Sequence, residues 1–224
     1  MDDGYQLNLK TLKEQVYDYL SNQLSRQELR PGDVINLDAV CHRLGVSKTP
    51  LRDALIVLET EGFVRFLPRR GVYVTALTLQ DIRDIYQIIG ALESGAVLGG
   101  RGRFRPEHAE AMAGLNAGMK AALDSDDFAG FYRLNLAFHD TYIELAGNAA
   151  LHRIVHTLKK RLYDFPKRDQ LLKEWEYASV DEHQRITELL TAGDHDDAAT
   201  FVRDVHWSFP VQERFIRIYY AGID

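Results

Sequence analysis

Residues 45–74, GVSKTPLRDALIVLETEGFVRFLPRRGVYV, carry the patterns that decide the fold of the first third of the chain. Apolar residues recur at helical spacing from Leu51 to Leu58, which predicts a helix over about 48–61. Two β-prone runs then flank the turn residues 68–71, which predicts a hairpin. The segment therefore predicts a helix followed directly by a short two-stranded sheet.

The upstream residues complete a helix-turn-helix pattern. Spaced apolar side chains predict one helix over about 9–25 and a shorter one over about 37–44, with the breakers Pro31 and Gly32 between them. Three helices and a hairpin in this order describe a winged helix-turn-helix over residues 1–75, whose third helix presents its first side chains to the major groove of DNA.

The start of the third helix and the hairpin tip supply the candidate DNA contacts. Lys48 and Arg52 lie four residues apart on one helix face, where each can pair with a guanine edge or a phosphate. Hydroxyl groups suit phosphate oxygens, and a basic, glycine-containing tip suits the DNA backbone or minor groove. The alternative is that each charge is simply a solvated surface group. The predicted DNA-contact set is Ser47, Lys48, Thr49, Arg52, Arg69, Arg70 and Gly71.

Composition and charge exclude several classes of protein. The 224 residues are 46% hydrophobic and 27% charged, which is the balance of a globular chain rather than a disordered or collagen-like one. Residues 1–75 hold 10 basic and 10 acidic side chains, so residues 76–224 carry the whole net charge of −6. The single cysteine, Cys41, the absence of an apolar run of about 20 residues and the acidic start predict a cytoplasmic protein with no membrane partner.

The remaining two thirds, residues 76–224, read as an all-α antiparallel helical bundle, so the chain is predicted to be mainly α. No convincing alternation of polar and apolar residues appears after Leu77. The helices are predicted over about 79–101, 106–123, 127–146, 149–164 and 179–191. A last helix should begin near residues 194–196 and run toward Tyr219, bent or broken by Pro210.

Histidines supply the candidate chemistry of the bundle. Of the 8 histidines, His139, His183 and His206 lie on strongly apolar helices and are predicted to converge inside it. Asn135 lies four residues before His139, which places both side chains on one helix face where they can chelate one metal ion. A second pair, at positions 152 and 156, lies on a helix that reads as basic and partly exposed. The alternative is that all of these are ordinary core histidines.

The two parts also resemble known families. Residues 45–74 and the upstream Leu-Arg-Pro-Gly-Asp resemble the DNA-binding domain of the GntR superfamily, with its Ser-Arg-Thr-Pro turn, Leu-Glu-x-Glu-Gly helix end and Arg-Gly wing. The resemblance implies DNA contacts by Ser47, Lys48, Thr49, Arg52 and the wing tip. Lys48 stands where arginine is usual, and Asp38 lies near a place where some members carry an arginine that reaches DNA.

The second part resembles the FCD effector domain of FadR-type GntR regulators. NLAFHDTYIELAGN, DEHQRITELL and VRDVHWSF contain its ligand pattern in order, with Asn135 in the usual aspartate position. The resemblance implies a divalent metal ion, with zinc expected and nickel or manganese as alternatives. Three neutral imidazoles and an amide leave a site of charge near +2, which favours an anionic effector, expected to be a carboxylate. Ile89 replaces an effector-binding arginine of many relatives, so the predicted effector donors are Tyr132, Arg133 and Arg161.

These features predict a metabolite-responsive transcriptional regulator that is not an enzyme. A homodimer would meet two half-sites of a pseudo-palindromic operator in double-stranded DNA, and a small effector at the metal site would control the affinity. The alternative function is a metal-dependent hydrolase that uses His139, His183 and His206, because three histidines with an open position also hold catalytic zinc. A third hypothesis treats the bundle as a plain dimerisation module.

Overall fold

A computed structural model describes residues 10–163 and 172–220 of the chain. Residues 10–76 belong to one compact unit, and residues 77–162 together with 172–220 belong to a second. The predicted ends of two helices, at residues 9 and 164, lie outside the described residues. The predicted class is confirmed, because the structure is mainly helical with one two-stranded sheet.

Three helices build the first unit. A capping box between Thr11 and Glu14 begins α1, and Asn36 caps α2 by accepting a hydrogen bond from the Ala39 amide at 3.0 Å. Gly45 ends α2 in the left-handed region with φ 64°, where glycine has no steric cost. The helices are α1 (Leu12–Ser25), α2 (Leu37–Leu44) and α3 (Lys48–Thr60). Every leucine of α1 and α3 except Leu12 is buried with the sheet in one core.

The hairpin that follows α3 is the wing. Strands β1 (Val64–Leu67) and β2 (Gly71–Val74) pair antiparallel, with Val64 opposite Val74. The Arg70 amide donates to the Leu67 carbonyl at 3.0 Å across the connecting turn, and Arg69 adopts φ 62° within it. A positive φ at this turn position is usually left to glycine, so the structure holds an arginine in a strained conformation at the tip.

The second unit is a helical bundle, as predicted. Its elements are α4 (Leu79–Gly99), α5 (Pro106–Asp124), α6 (Phe128–Ile143) with a 3-10 turn (Glu144–Ala146), α7 (Ala149–Tyr163), α8 (Lys173–Ala192), α9 (His195–Phe201), a π turn (Val202–His206) and α10 (Phe209–Tyr219). None of the described helices is both long enough and apolar enough to cross a lipid bilayer.

Two helices differ from their predicted bounds. Helix α8 begins at Lys173 rather than 179, because Trp175 anchors the extra turn by stacking on Phe215 at 5.9 Å between ring centroids. The last predicted helix consists of α9, the π turn and α10. The chain leaves the helix between the π turn and α10, before Pro210 and not at the proline itself. The proline lies in the first turn of α10, where its missing N–H costs no hydrogen bond.

Candidate functional site

The start of α3 presents a polar, cationic surface. Ser47, Lys48, Thr49 and Arg52 are all exposed, while Leu51 and Leu55 on the opposite face are buried. Ser47 has the backbone of an N-cap, but its side chain makes no capping hydrogen bond. Its hydroxyl is therefore available to an outside acceptor such as a phosphate.

The wing tip adds more positive charge in the same unit. Arg69, Arg70 and Gly71 are exposed, and the Arg70 guanidinium lies over the Tyr73 ring at 5.7 Å from its centroid. The positive φ of Arg69 lowers the stability of the folded protein. Strained residues of this kind are frequent at functional sites, which favours a functional role for the Arg69 side chain.

Three histidines converge within the bundle, as the sequence analysis predicted. One ligand nitrogen from each of His139 in α6, His183 in α8 and His206 in the π turn lies within 4.8 Å of the other two. His139 and His183 are 0% exposed and His206 is 9% exposed. The π turn matters here because it ends at His206, and such wide turns are frequent at functional sites.

Several polar atoms of this cluster and of the neighbouring Asn135 on α6 lack ordinary partners. Nε2 of His139, both ring nitrogens of His183 and the buried Oδ1 of Asn135 accept or donate no hydrogen bond among the described residues. Burial lowers the pKa of His139 to about 3 and that of His183 well below its usual value. Neutral imidazoles with free lone pairs are what a borderline divalent cation requires, so the donor set fits a metal ion.

A buried carboxylate fixes the orientation of His139. Oε2 of Glu93 lies 2.9 Å from His139 Nδ1 and accepts hydrogen bonds from Trp207 Nε1 at 2.9 Å and from the Tyr142 hydroxyl. Because the carboxylate accepts, Nδ1 of His139 carries the proton and Nε2 is left as the ligand atom.

Lys159 neutralises this carboxylate. Its Nζ lies 2.7 Å from Glu93 Oε1, and the two side chains are 3% and 0% exposed. Burial opposes the ionisation of Glu93, but favourable electrostatic interactions and hydrogen bonds with His139 and Lys159 outweigh it and hold the pKa of Glu93 well below its usual value. Neither role is evident from the sequence, because the residues around Lys159 are basic and predict a partly exposed helix face.

A second carboxylate orients His206. Oε2 of Glu182 lies 2.7 Å from His206 Nδ1, and its Oε1 accepts from Gln212 Nε2 at 2.9 Å. Gln212 in turn accepts from Trp175 Nε1 at 2.9 Å, so the chain of hydrogen bonds ties α10 and the first turn of α8 to the histidine cluster. Sequence reasoning assigned Glu182 no role, because nothing in the sequence pairs it with a histidine on another element.

The predicted effector donors differ in their surroundings. Tyr132 is half-buried. It lies seven residues before His139 on α6, so the two side chains share one face of the helix. Arg133 is exposed. Arg161 is half-buried, and its guanidinium lies 3.9 Å from an Asp81 carboxylate oxygen. Arg133 therefore lies off the face that points into the bundle.

The second histidine pair does not join the cluster. The rings of His152 and His156 stack at 6.2 Å between centroids, and His152 Nε2 lies 3.3 Å from Asp140 Oδ1. Among the described residues, only His139, His183 and His206 form a group of three metal-binding side chains.

Metal-free protein is expected to lose stability as the pH falls below about 6.5. In the folded protein the pKa of His139 is lowered from 6.5 to about 3. Between these two pH values the unfolded chain binds a proton at this histidine and the folded protein does not. Each pH unit in this window then costs about 1.4 kcal/mol for one such histidine. The lowered pKa of Glu93 acts in the same direction below its usual value of 4.5.

The measurement is urea unfolding in the presence of a chelator at pH 5 and pH 7. A His156→Ala variant, which changes an exposed ring outside the cluster, should keep the pH dependence. Equal stability of the metal-free protein at both pH values would contradict the expectation.

Family models match both parts of the chain. Residues 12–74 match the bacterial regulatory proteins of the gntR family, and residues 84–205 match the FCD domain. The fold agrees with that of E. coli McbR/YncC, with a TM-score of 0.71 and 20% identity, covering 96% of this chain and 100% of that one. A GntR transcriptional regulator from Rhodococcus gives a TM-score of 0.67 at 19% identity, covering 93% and 98%.

Curated relatives agree with the family models. A transcriptional regulator of Agrobacterium vitis is 32% identical over 58% of this chain and 78% of its own length. The Nta operon transcriptional regulator of Aminobacter aminovorans is 29% identical over 77% and 80%. A D-xylose utilization operon repressor of Paenarthrobacter nicotinovorans is 26% identical over 84% and 82%. The chain therefore belongs to the GntR family of bacterial transcriptional regulators, in the group whose DNA-binding domain is followed by an FCD domain, and not to a family of enzymes.

Proposed function

We propose that this regulator binds a pseudo-palindromic operator as a homodimer and that a small anionic effector at a metal centre in the bundle controls its DNA affinity. One observation carries the proposal. The chain that exposes a cationic helix start also buries three histidines whose ligand nitrogens lie within 4.8 Å of one another. Nε2 of His139 and both ring nitrogens of His183 have no hydrogen-bond partner among the described residues.

In this proposal, DNA is bound by α3 and the wing. Arg52 and Lys48 approach base edges and phosphates, the hydroxyls of Ser47 and Thr49 bind phosphates, and the wing tip contacts the backbone or minor groove. Phosphate contacts give salt-dependent affinity, and base contacts give the choice of site.

Arg52→Ala is expected to weaken operator binding by about 1–3 kcal/mol, because it removes a cationic base or phosphate contact. The measurement is fluorescence anisotropy with an operator duplex selected from random DNA and with a scrambled duplex, at moderate salt. Arg83→Ala is a matched control, since it removes one exposed arginine from the bundle. Equal affinities of the Arg52 variant and the wild type for the operator would contradict the role.

In the bundle, the ligands of the metal are proposed to be Nε2 of His139, Nε2 of His206, one ring nitrogen of His183 and Oδ1 of Asn135. Zinc suits imidazole ligands, and it would attract an effector oxygen as a Lewis acid. Glu93 and Lys159 cancel each other's charge, and Asn135 adds none. The site with its ion therefore keeps positive charge that an effector carboxylate can balance.

The protein's own groups would hold and orient this effector. Tyr132 lies on the helix face of the ligands, and Arg161 is the predicted arginine that is half-buried. The name of the D-xylose utilization relative connects one similar regulator with small-molecule metabolism, which supports a metabolite as effector. The effector shifts DNA affinity only if it binds the two states of the protein with different affinity.

A thermal-shift screen of small carboxylates and sugar acids tests the proposal. An effector at 100 times its Kd is expected to stabilise the protein by about 2.7 kcal/mol. The shift should require zinc and should disappear with a chelator. If an effector shifts the melting temperature equally with and without metal, its binding site is not the metal centre.

A further inference from the structure

An exposed ion pair lies at the surface assigned to DNA. Asp38 Oδ1 in the first turn of α2 lies 2.9 Å from Lys48 Nζ at the start of α3, and the two side chains are 81% and 74% exposed. We propose, on the basis of the DNA-binding role above, that Asp38 is a specificity-determining residue. With Lys48 it presents a hydrogen-bond acceptor beside a donor. The pair therefore selects base pairs that offer an acceptor and a donor in the matching order, which G·C and T·A do and A·T and C·G do not.

The Asp38 carboxylate does not cap α2. Asn36, not Asp38, caps α2, through its bond to the Ala39 amide at 3.0 Å. Asp38 instead pairs with Lys48. It also raises the pKa of the Lys48 amino group.

The ion pair weakens attraction to the DNA backbone. A lysine alone binds any phosphate, whatever the sequence. Here the carboxylate offsets the Lys48 charge and repels a phosphate that approaches it. The pair therefore lowers affinity for random DNA and leaves base edges as the favourable partners.

The base edges of G·C match the ion pair. In the major groove guanine O6 accepts and cytosine N4 donates, and the two atoms are neighbours because a Watson–Crick hydrogen bond joins them. Lys48 can donate to O6 while Asp38 accepts from N4. An A·T pair inverts this pattern, since adenine N6 donates and thymine O4 accepts. Both contacts then become repulsive, and the same holds for C·G, whereas T·A offers the same acceptor and donor order as G·C.

Selection of binding sites from random duplexes, followed by anisotropy on single base-pair variants, tests the inference. For the wild type, replacing one G·C pair in each half-site by A·T should weaken binding about 5-fold or more. Asp38→Asn should reduce that penalty to about 2-fold and raise the affinity for random DNA by about 3-fold or more. Its melting temperature should match that of the wild type.

Asp53→Asn is the matched control, because it removes an equal charge from an exposed acid on α3, whereas the ion pair of Lys48 is with Asp38. It should leave the base-pair profile unchanged. If the wild type selects a sequence and Asp38→Asn leaves its base-pair preferences unchanged, this inference is overturned but the proposed operator binding is not. A wild type that selects no sequence overturns both this inference and the proposed operator binding.

Discussion

Glu93→Gln is expected to lower the free energy of unfolding by about 3–5 kcal/mol, because it leaves the charge of Lys159 buried without a counterion. The Lys159 side chain is 3% exposed, and its Nζ lies 2.7 Å from an oxygen of the carboxylate whose charge the variant removes. Water cannot replace that partner without opening the core. Urea unfolding followed by circular dichroism measures the loss.

Two further variants test whether the lost free energy of unfolding comes from the buried charge of Lys159 or from altered packing. The double variant Glu93→Gln with Lys159→Met should recover much of the stability, since neither charge then remains. Asp126→Asn breaks an exposed pair with Lys173 and should cost less than about 1 kcal/mol. A double variant as unstable as the single one would show that Glu93 acts through His139 and Trp207 instead.

His139→Ala is expected to remove the bound metal. The proposed site loses one of its three imidazole ligands, and its affinity should fall by more than about 100-fold, beyond the 10–100-fold typical of losing an outer-shell partner. Metal analysis of purified protein should then change from about one ion per chain to almost none, and His183→Ala should do the same.

His152→Ala is the control for this experiment, because His152 lies outside the cluster of three. It should retain the ion. Random-DNA binding by the His139 variant should persist, since α3 and the wing are unchanged. Metal retained by both the His139 and the His183 variant would contradict the proposed centre.

Local patterns were enough to predict most of the fold. The bounds of α2 match the structure because a cap residue and a left-handed glycine delimit it, and both signals are local. The wing likewise follows from β-prone runs around a proline-containing turn. The first turns of α8 were missed because Trp175 stabilises them through Gln212 and Phe215, on an element distant in the sequence.

The candidate site was predictable only in its innermost part. The three histidines share apolar helix faces, and that signal is visible in the sequence. The basic neighbours of Lys159 predict an exposed side chain, and this prediction is wrong. Only the packing shows that Lys159 is buried against the Glu93 carboxylate on α4. The pairing of Glu182 with His206 depends on the π turn, which no periodicity of the sequence indicates.

The π turn has an evolutionary consequence. A π turn contains one more residue than the α turn it replaces, so an in-frame loss of one codon within Val202–His206 would restore regular helix. Five residues of π-helix and four residues of α-helix each complete about one turn, so the helical segments on either side would keep their directions. The wide turn can therefore be gained or lost through a single codon without misaligning the helices that flank it.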